Sequence, residues 1–194
     1  IRDSSFALSA LSSLIKIPGT DCLVSLGVAG GLSPQVSALD VVIGDSIVEH
    51  DFKSNFQPKS MPPTHPVSLF KNLSSPQAPT KQMDAIVQKG ETDFSILQDL
   101  NSEFKGFKIH CGPIASGDED ITSPKRAQEL HHQTQALAVA WEGAGGARAA
   151  SFFEVPYGEI RGISDLANAQ AAGDFKKNLK LAMDNVAQVA LRVL

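Results

Sequence analysis

The chain has 194 residues and a formal net charge of −4, from 17 Lys and Arg against 21 Asp and Glu. That length builds one hydrophobic core of ordinary size and leaves little over for a second. No stretch gathers more than two or three basic residues, which argues against a nucleic-acid partner. No apolar run reaches the roughly 18 residues that would argue for a membrane span.

The two cysteines, Cys22 and Cys111, lie in apolar runs, where a free thiol behaves as a small hydrophobe. A reducing, cytoplasmic setting is therefore expected. The N-terminus lacks the basic-then-apolar signature of a signal peptide. The chain opens on Ile1 and not on Met, so N-terminal sequence is expected to precede it, a first strand included.

Residues 4–15 place Phe6, Leu8, Leu11, Leu14 and Ile15 at helical spacings, behind Asp3 or Ser4 as N-cap. Pro18-Gly19 marks a turn, and residues 21–27 read as a short buried strand that runs into glycines. The β-branched stretch 39–51, broken by Gly44-Asp45, predicts a long strand with a bulge, ending in Glu49, His50 and Asp51. Residues 52–80 are rich in Pro, Ser, Asn and Lys and predict an irregular insertion.

Helical spacing returns over 81–101, and 104–114 alternates as a strand that is expected to end at Gly112-Pro113. Ser123-Pro124 is a helix start, because proline at the first helical position loses no needed hydrogen bond. Residues 124–133 follow as that helix. The Ala- and Gly-rich stretch 135–153 predicts a helix pressed closely on a sheet or a ligand. A strand at 157–163 and an amphipathic helix at 174–194 close the chain. Alternating helices and strands imply an α/β layered domain over 1–194, without internal repeats.

Three segments carry candidate chemistry. Gly27-Val28-Ala29-Gly30-Gly31-Leu32 follows a strand and lets backbone approach a ligand, although a tight turn explains it equally well. It lacks the G-x-G-x-x-G spacing of a dinucleotide site. Ala115-Ser116-Gly117-Asp118-Glu119-Asp120-Ile121 sets three carboxylates in a turn, without the alternating ligands and closing Glu of a calcium loop, so no metal is expected. The third combines Trp141-Glu142, within a small-residue helix, with Arg161-Gly162-Ile163-Ser164-Asp165, where an acid stands just beyond a strand. Strand ends in α/β folds are where ligands gather. Plainer roles stand beside these: Asp165 as a helix cap, and Glu142 as the partner of Arg161 or Arg148.

The histidines carry less. His131 and His132 are neighbours on a helix and point about 100° apart, which suits solvent more than a shared metal. His110 reads as a satisfied core histidine, and His50-Asp51 as a strand end.

Taken in order, the GVAGGL segment, the strand ending in His-Asp, IASGDEDI, WEGAGGARAA and EIRGISDLAN resemble the nucleoside phosphorylase and nucleosidase superfamily of the purine and uridine phosphorylase type. Within it the likeness is greatest to the 5′-methylthioadenosine/S-adenosylhomocysteine nucleosidases, over nearly the whole chain. The resemblance implies a three-layer α/β/α fold around a central mixed, partly barrel-like sheet, a purine nucleoside as small-molecule partner, a homodimer and no cofactor.

It also implies roles. Asp165 would protonate N7 of the leaving purine, with Ser164 holding its carboxylate. Such protonation makes the base a neutral leaving group while the sugar turns cationic. Glu142 would be the anion at the ribose hydroxyls, Arg161 would stand near the attacking water, and Val28, Ala29 and Gly30 would line base and sugar. Trp141 would face the sugar where the family usually has Met, and Ile121 would offer backbone hydrogen bonds to the purine edge. Asp120 falls where an aromatic residue often stacks on the base, and Ala140 where a Glu is usual. The nucleosidases carry a general-base Glu in an N-terminal segment, at no position that can be named in this chain.

Phosphorylases of the superfamily place an arginine shortly before the glycine segment. Here that stretch is Leu23-Val24-Ser25-Leu26, which favours water over phosphate as the acceptor. Futalosine hydrolases carry Ser-Asn where this chain has Ser164-Asp165, which favours adenine as the base. Phosphorolysis, futalosine hydrolysis and a non-catalytic nucleoside-binding module remain as alternatives.

Overall fold

The structure is a computed structural model and describes residues 22–51, 64–66, 94–152 and 155–194. The expected helix at 4–15, most of the Pro-rich insertion and the 81–93 part of the expected helix lie outside the described residues.

Ten elements follow in chain order among the described residues: β1 (Leu23–Gly31), β2 (Val41–Glu49), β3 (Thr64–Pro66), α1 (Phe94–Glu103), β4 (Ile109–Ser116), α2 (Pro124–Thr134), β5 (Ala138–Ala140), α3 (Gly143–Phe152), β6 (Tyr157–Asp165) and α4 (Ala171–Val193). The strands form one mixed sheet ordered β3-β2-β4-β5-β1-β6, and β2 also pairs with β6. That last pairing closes β2, β4, β5, β1 and β6 into a five-stranded barrel, so the expected mixed, partly barrel-like sheet is present. β1 runs parallel to β6 and antiparallel to β5, which puts the C-terminal ends of β1 and β6 opposite those of β2, β4 and β5.

The apolar pattern explains the layers. The odd-numbered positions Tyr157 and Ile163 of β6 share a buried cluster with Ala144, Ala147 and Ala150 of α3. Ile160, on the other face, packs with Val186, Val189, Ala190 and Val193 of α4. Each fully buried valine contributes about 1.5–3 kcal/mol, which anchors α4 without help from a side-chain N-cap. α4 begins at Ala171, three residues before the expected start. Asn185 and Asn178 stitch it to the sheet, donating to the backbone oxygens of Leu39 and Ser164 at 2.9 Å each.

The expected bulge in the second strand is present, as the β2–β4 register shifts between Gly44 and Ile47. Several boundaries differ from expectation. β1 continues through Gly27–Gly31, because Gly27 and Gly30 pair with β6 and Gly31 with β5, and the glycines do not form a turn. β4 begins at Ile109, not 104, and runs through Gly112-Pro113 to Ser116. Proline supplies only an acceptor, and Pro113 uses it on the Leu137 N–H at 2.8 Å. β5 lies inside the stretch expected to be helical throughout. His65 lies in β3, which pairs with β2 inside the expected insertion.

His110 accepts the core role foreseen for it and lies 2.9 Å from Asp40. His131 is half-buried, not solvent-facing, with Nδ1 2.8 Å from the Ala136 oxygen, while His132 is exposed. Cys22 and Cys111 are free thiols. Among the described residues no helix is long and apolar enough to cross a membrane, and no group of three metal-ligating side chains occurs.

Candidate active site

The site is laid out over β1. Gly27 pairs with Arg161 and Gly30 with Asp165 on the β6 side, while Gly30 also faces Val139 of β5. Arg161 and Asp165 are four residues apart on one strand, about 13 Å between Cα atoms. Their side chains need β1 to be bare. A Cβ at Gly30 would stand 3.2 Å from Asp165 Oδ1, and one at Gly27 would collide with the Arg161 guanidinium. The glycines therefore serve as a floor across which two β6 side chains reach.

At one end lies Asp165, 8% exposed. The β1–β6 register shifts between Ala29 and Gly30, a bulge that passes over Ser164 and re-aims the strand's last residues. Ser164 Oγ donates to Asp165 Oδ2 at 2.9 Å and also lies 3.3 Å from the Ala29 oxygen. The Ala167 N–H donates to Asp165 Oδ1 at 2.9 Å. Ala167 presents that N–H at a φ of 50°, a left-handed conformation that costs about 1 kcal/mol in an alanine. Strain of this kind persists where the surroundings over-determine it, and it clusters at functional sites.

At the other end lies Arg161, 3% exposed and gripped from three sides. Its Nε donates to Glu159 Oε1 at 2.5 Å, and one terminal nitrogen lies 2.9 Å from Ser25 Oγ and 3.2 Å from Glu142 Oε2. Glu142 is the open member of this cluster, with 48% of its side chain exposed. It precedes α3 and does not lie within it, as the stretch was expected to place it. Ser116 Oγ fixes that junction by donating to the Trp141 oxygen at 3.2 Å and accepting the Ala144 N–H at 2.9 Å. Arg148, the other partner considered for Glu142, pairs with Glu49 instead.

The remaining candidates divide. Val28 and Ala29 lie in β1 between the two ends. Trp141 is 50% exposed beside Glu142. The Ile121 side chain is buried among Leu32, Ala127, Leu130 and Ala167, leaving its backbone as the part that can meet a ligand. Asp120 is exposed. The acidic loop is otherwise occupied structurally: Glu119 takes a two-pronged bond from Arg126 at 2.8 and 2.6 Å, and the Asp118 N–H donates to Asp51 at 2.7 Å.

Sequence reasoning singled out neither Ser25, Ser116 nor Glu159. Glu159 stands two residues before Arg161 on a strand, and that spacing places both on one face. Its burial pushes its carboxyl up, against the pull of the Arg161 charge. A hollow of about 580 Å³, lined by Gln98, Asn101, His110 and Cys111 among others, contains no carboxylate and shares no residue with this site. The candidate site is thus picked out by its chemistry and not by cavity volume.

A closed mixed barrel with acids mounted over a glycine strand defines an α/β enzyme class. The family model of the phosphorylase superfamily matches residues 4–194, and the chain belongs to that superfamily. It is 32% identical over 187 residues to the 5′-methylthioadenosine/S-adenosylhomocysteine nucleosidase of Mycobacterium bovis, covering 91% of this chain and 71% of that protein. The nucleosidase of that name from Neisseria meningitidis, solved in complex with methylthio-immucillin-A, superposes with a TM-score of 0.72 at 25% identity, covering 96% of this chain and 74% of that one. The futalosine hydrolase of Helicobacter pylori has the same fold, with a TM-score of 0.69 at 24% identity, covering 94% of this chain and 71% of that one.

Proposed function

We propose that the protein is a purine nucleosidase that hydrolyses the N-glycosidic bond of a 5′-modified adenosine, 5′-methylthioadenosine or S-adenosylhomocysteine. The carrying observation is the pair of carboxylates at the two ends of the glycine floor, Asp165 held by neutral donors and Glu142 held by Arg161.

In this reading Asp165 gives a proton to purine N7 as the bond from sugar to base breaks, and the bonding electrons leave with the base. Ser164 and the Ala167 N–H receive the resulting carboxylate, so the acid's charge develops against donors already in place. Glu142 takes the ribose hydroxyls and lies beside the sugar as it becomes cationic. Water adds to the sugar carbon next to Arg161 and Ser25, and its proton passes to a base outside the described residues. Val28, Ala29, Gly30 and Trp141 line the substrate, Ile121 meets the purine edge through its backbone, and Asp120 stands at the rim.

Hydrolysis is favoured over phosphorolysis by the state of the cations. A phosphate dianion needs free guanidinium forks, and here Arg161 is engaged by Glu159 and Glu142, and Arg148 by Glu49. Asp165, in place of the Asn of futalosine hydrolases, favours adenine as the base. The same reading takes 1–194 as one catalytic domain of a cytoplasmic homodimer serving methionine salvage.

The test is incubation of the full chain with 5′-methylthioadenosine, S-adenosylhomocysteine, 5′-deoxyadenosine, adenosine and inosine, with and without phosphate, following free base by chromatography. Phosphate-independent adenine release is expected. Tight binding without release from any of them would make the protein a nucleoside-binding module.

A further inference from the structure

The charge arrangement beneath Glu142 goes beyond that reading and rests on it. Glu159 is 0% exposed, and although Oε1 takes the Arg161 Nε–H, Oε2 is buried without a hydrogen-bond partner. A buried carboxylate oxygen left unpaired costs on the order of 1–3 kcal/mol, more when charged. It faces the start of α3, where a Cβ on Gly143 would stand 2.5 Å away. Arg161 alone could have been neutralised by Glu142, at 3.2 Å. The fold instead sets one guanidinium between two carboxylates, an excess of one negative charge directly under the sugar end of the site.

We propose that Glu159 is a positioning residue for the hydrolysis: it holds Arg161 from below by Nε and satisfies its charge, so that Glu142 keeps its negative charge for the cationic sugar of the transition state. The Arg161 guanidinium stays charged, and its charge and its Nε–H at 2.5 Å favour the Glu159 carboxylate against the burial that raises it. The groups that face Glu159 are Arg161 and Tyr157 from its own strand and Glu142 from the β5–α3 junction. Gly143 at the start of α3 lies against the carboxyl and Gly44 of β2 against the Glu159 Cβ and backbone oxygen, and neither brings charge.

The experiment compares two adenine analogues with the same base and 5′-methylthio tail, one with a protonated pyrrolidine in place of ribose and one with a neutral cyclopentane. Calorimetry gives Kd for each with the wild-type chain and with Glu159→Gln, which retains an acceptor for Arg161 Nε and removes the charge. The variant is expected to weaken the cationic ligand on the order of tenfold more than the neutral one, the loss expected when a unit charge about 10 Å away is removed at an effective dielectric constant near 20. Glu159→Asp, which keeps the charge, is expected to retain most of the discrimination.

Because burial raises the carboxyl of Glu159, the wild-type preference for the cation is expected to fall on acidification earlier than a solvated Glu would dictate, with no such limb in Glu159→Gln. Equal weakening of both ligands would reduce Glu159 to a structural counter-ion and overturn the proposal. If Glu159→Gln does not fold, Gly143→Ala displaces the same carboxylate sterically and is read by the same ratio. A wild-type chain that binds neither analogue overturns the nucleosidase reading itself, and this inference with it.

Discussion

The two ends of β6 hold their acids in opposite ways. Asp165 is met only by neutral donors, a hydroxyl and a backbone N–H. Glu159 and Glu142 share a cation that is itself nearly inaccessible. A carboxylate held by neutral dipoles can take and give a proton without breaking an ion pair, whereas a guanidinium beside a carboxylate favours its anionic form. On the proposed reading, the difference suits the Asp165 end to proton transfer and the Arg161 end to standing negative charge. Environments that set neighbouring carboxylates to different tasks are a recurring device of glycosyl chemistry.

The sharpest way to break this comparison is Asp165→Asn. The amide can still accept from Ser164 or Ala167 but has no carboxyl proton to give. Adenine release is expected to fall by about 10²–10⁴-fold, the usual range for one general acid, with the melting temperature close to that of the parent. A variant that retains activity would move the acid elsewhere. Glu142→Gln comes next, because it removes standing charge and leaves the proton transfer intact. About a 10²-fold loss in kcat is expected, the scale of one electrostatic contact to the transition state, with a smaller change in KM.

How much of this was legible before the structure follows from the physics of each signal. β2, α2 and α4 carried strong local periodicity or a proline start, and they fold where the pattern placed them within a few residues. β5 was missed because three residues of alanine and valine beside a glycine-rich helix carry no period of their own; its pairing with β1 and β4 makes it a strand. The glycines of β1 left a ligand-facing backbone and a tight turn equally open, since nothing local reveals that Arg161 and Asp165 need a bare strand beneath them. Glu159 was within reach, because two ionisable residues at strand spacing in an otherwise apolar run share one face. Ser25 and Ser116 were not, as their partners lie 136 and 28 residues away in sequence.

A finer test of the neutral end is Ser164→Ala. It deletes one of the two donors to Asp165 and leaves the Ala167 N–H in place. One hydrogen bond to a charged group is worth about 1.5–3 kcal/mol, so a loss of about 10- to 150-fold in kcat is expected. Because the hydroxyl stabilises the carboxylate that forms as the proton leaves, the loss should appear in kcat, with KM nearly unchanged, in steady-state kinetics over the pH range of activity. A purely structural hydroxyl would instead lower the melting temperature and leave kcat alone.

The smallest effect on rate, and the clearest on stability, is expected from a fourth carboxylate, which mixes both kinds of partner. Asp40 accepts the N–H groups of Lys108 and Ser37 at 2.8 and 2.9 Å and lies 2.9 Å from His110 Nε2. Burial pushes its carboxyl up, but the His110 contact and the two N–H donors outweigh it, and the net shift is downward. A folded-state value below the unfolded one means that Asp40 contributes stability above the ordinary carboxylate range, and that this is lost as pH falls through its folded value. Its own backbone oxygen accepts the Ile163 N–H at 2.8 Å, on the stretch of β6 that joins the two ends of the site, yet its side chain is tied to β4 and the turn before β2. Asp40→Asn is therefore expected to leave kcat within about twofold and to lower stability by about 1–3 kcal/mol at neutral pH. In denaturant titrations that deficit should shrink as the medium is made acid, since the parent then loses the contribution the variant never had. A deficit that stayed constant with pH would mean that Asp40 acts through shape and hydrogen bonds alone.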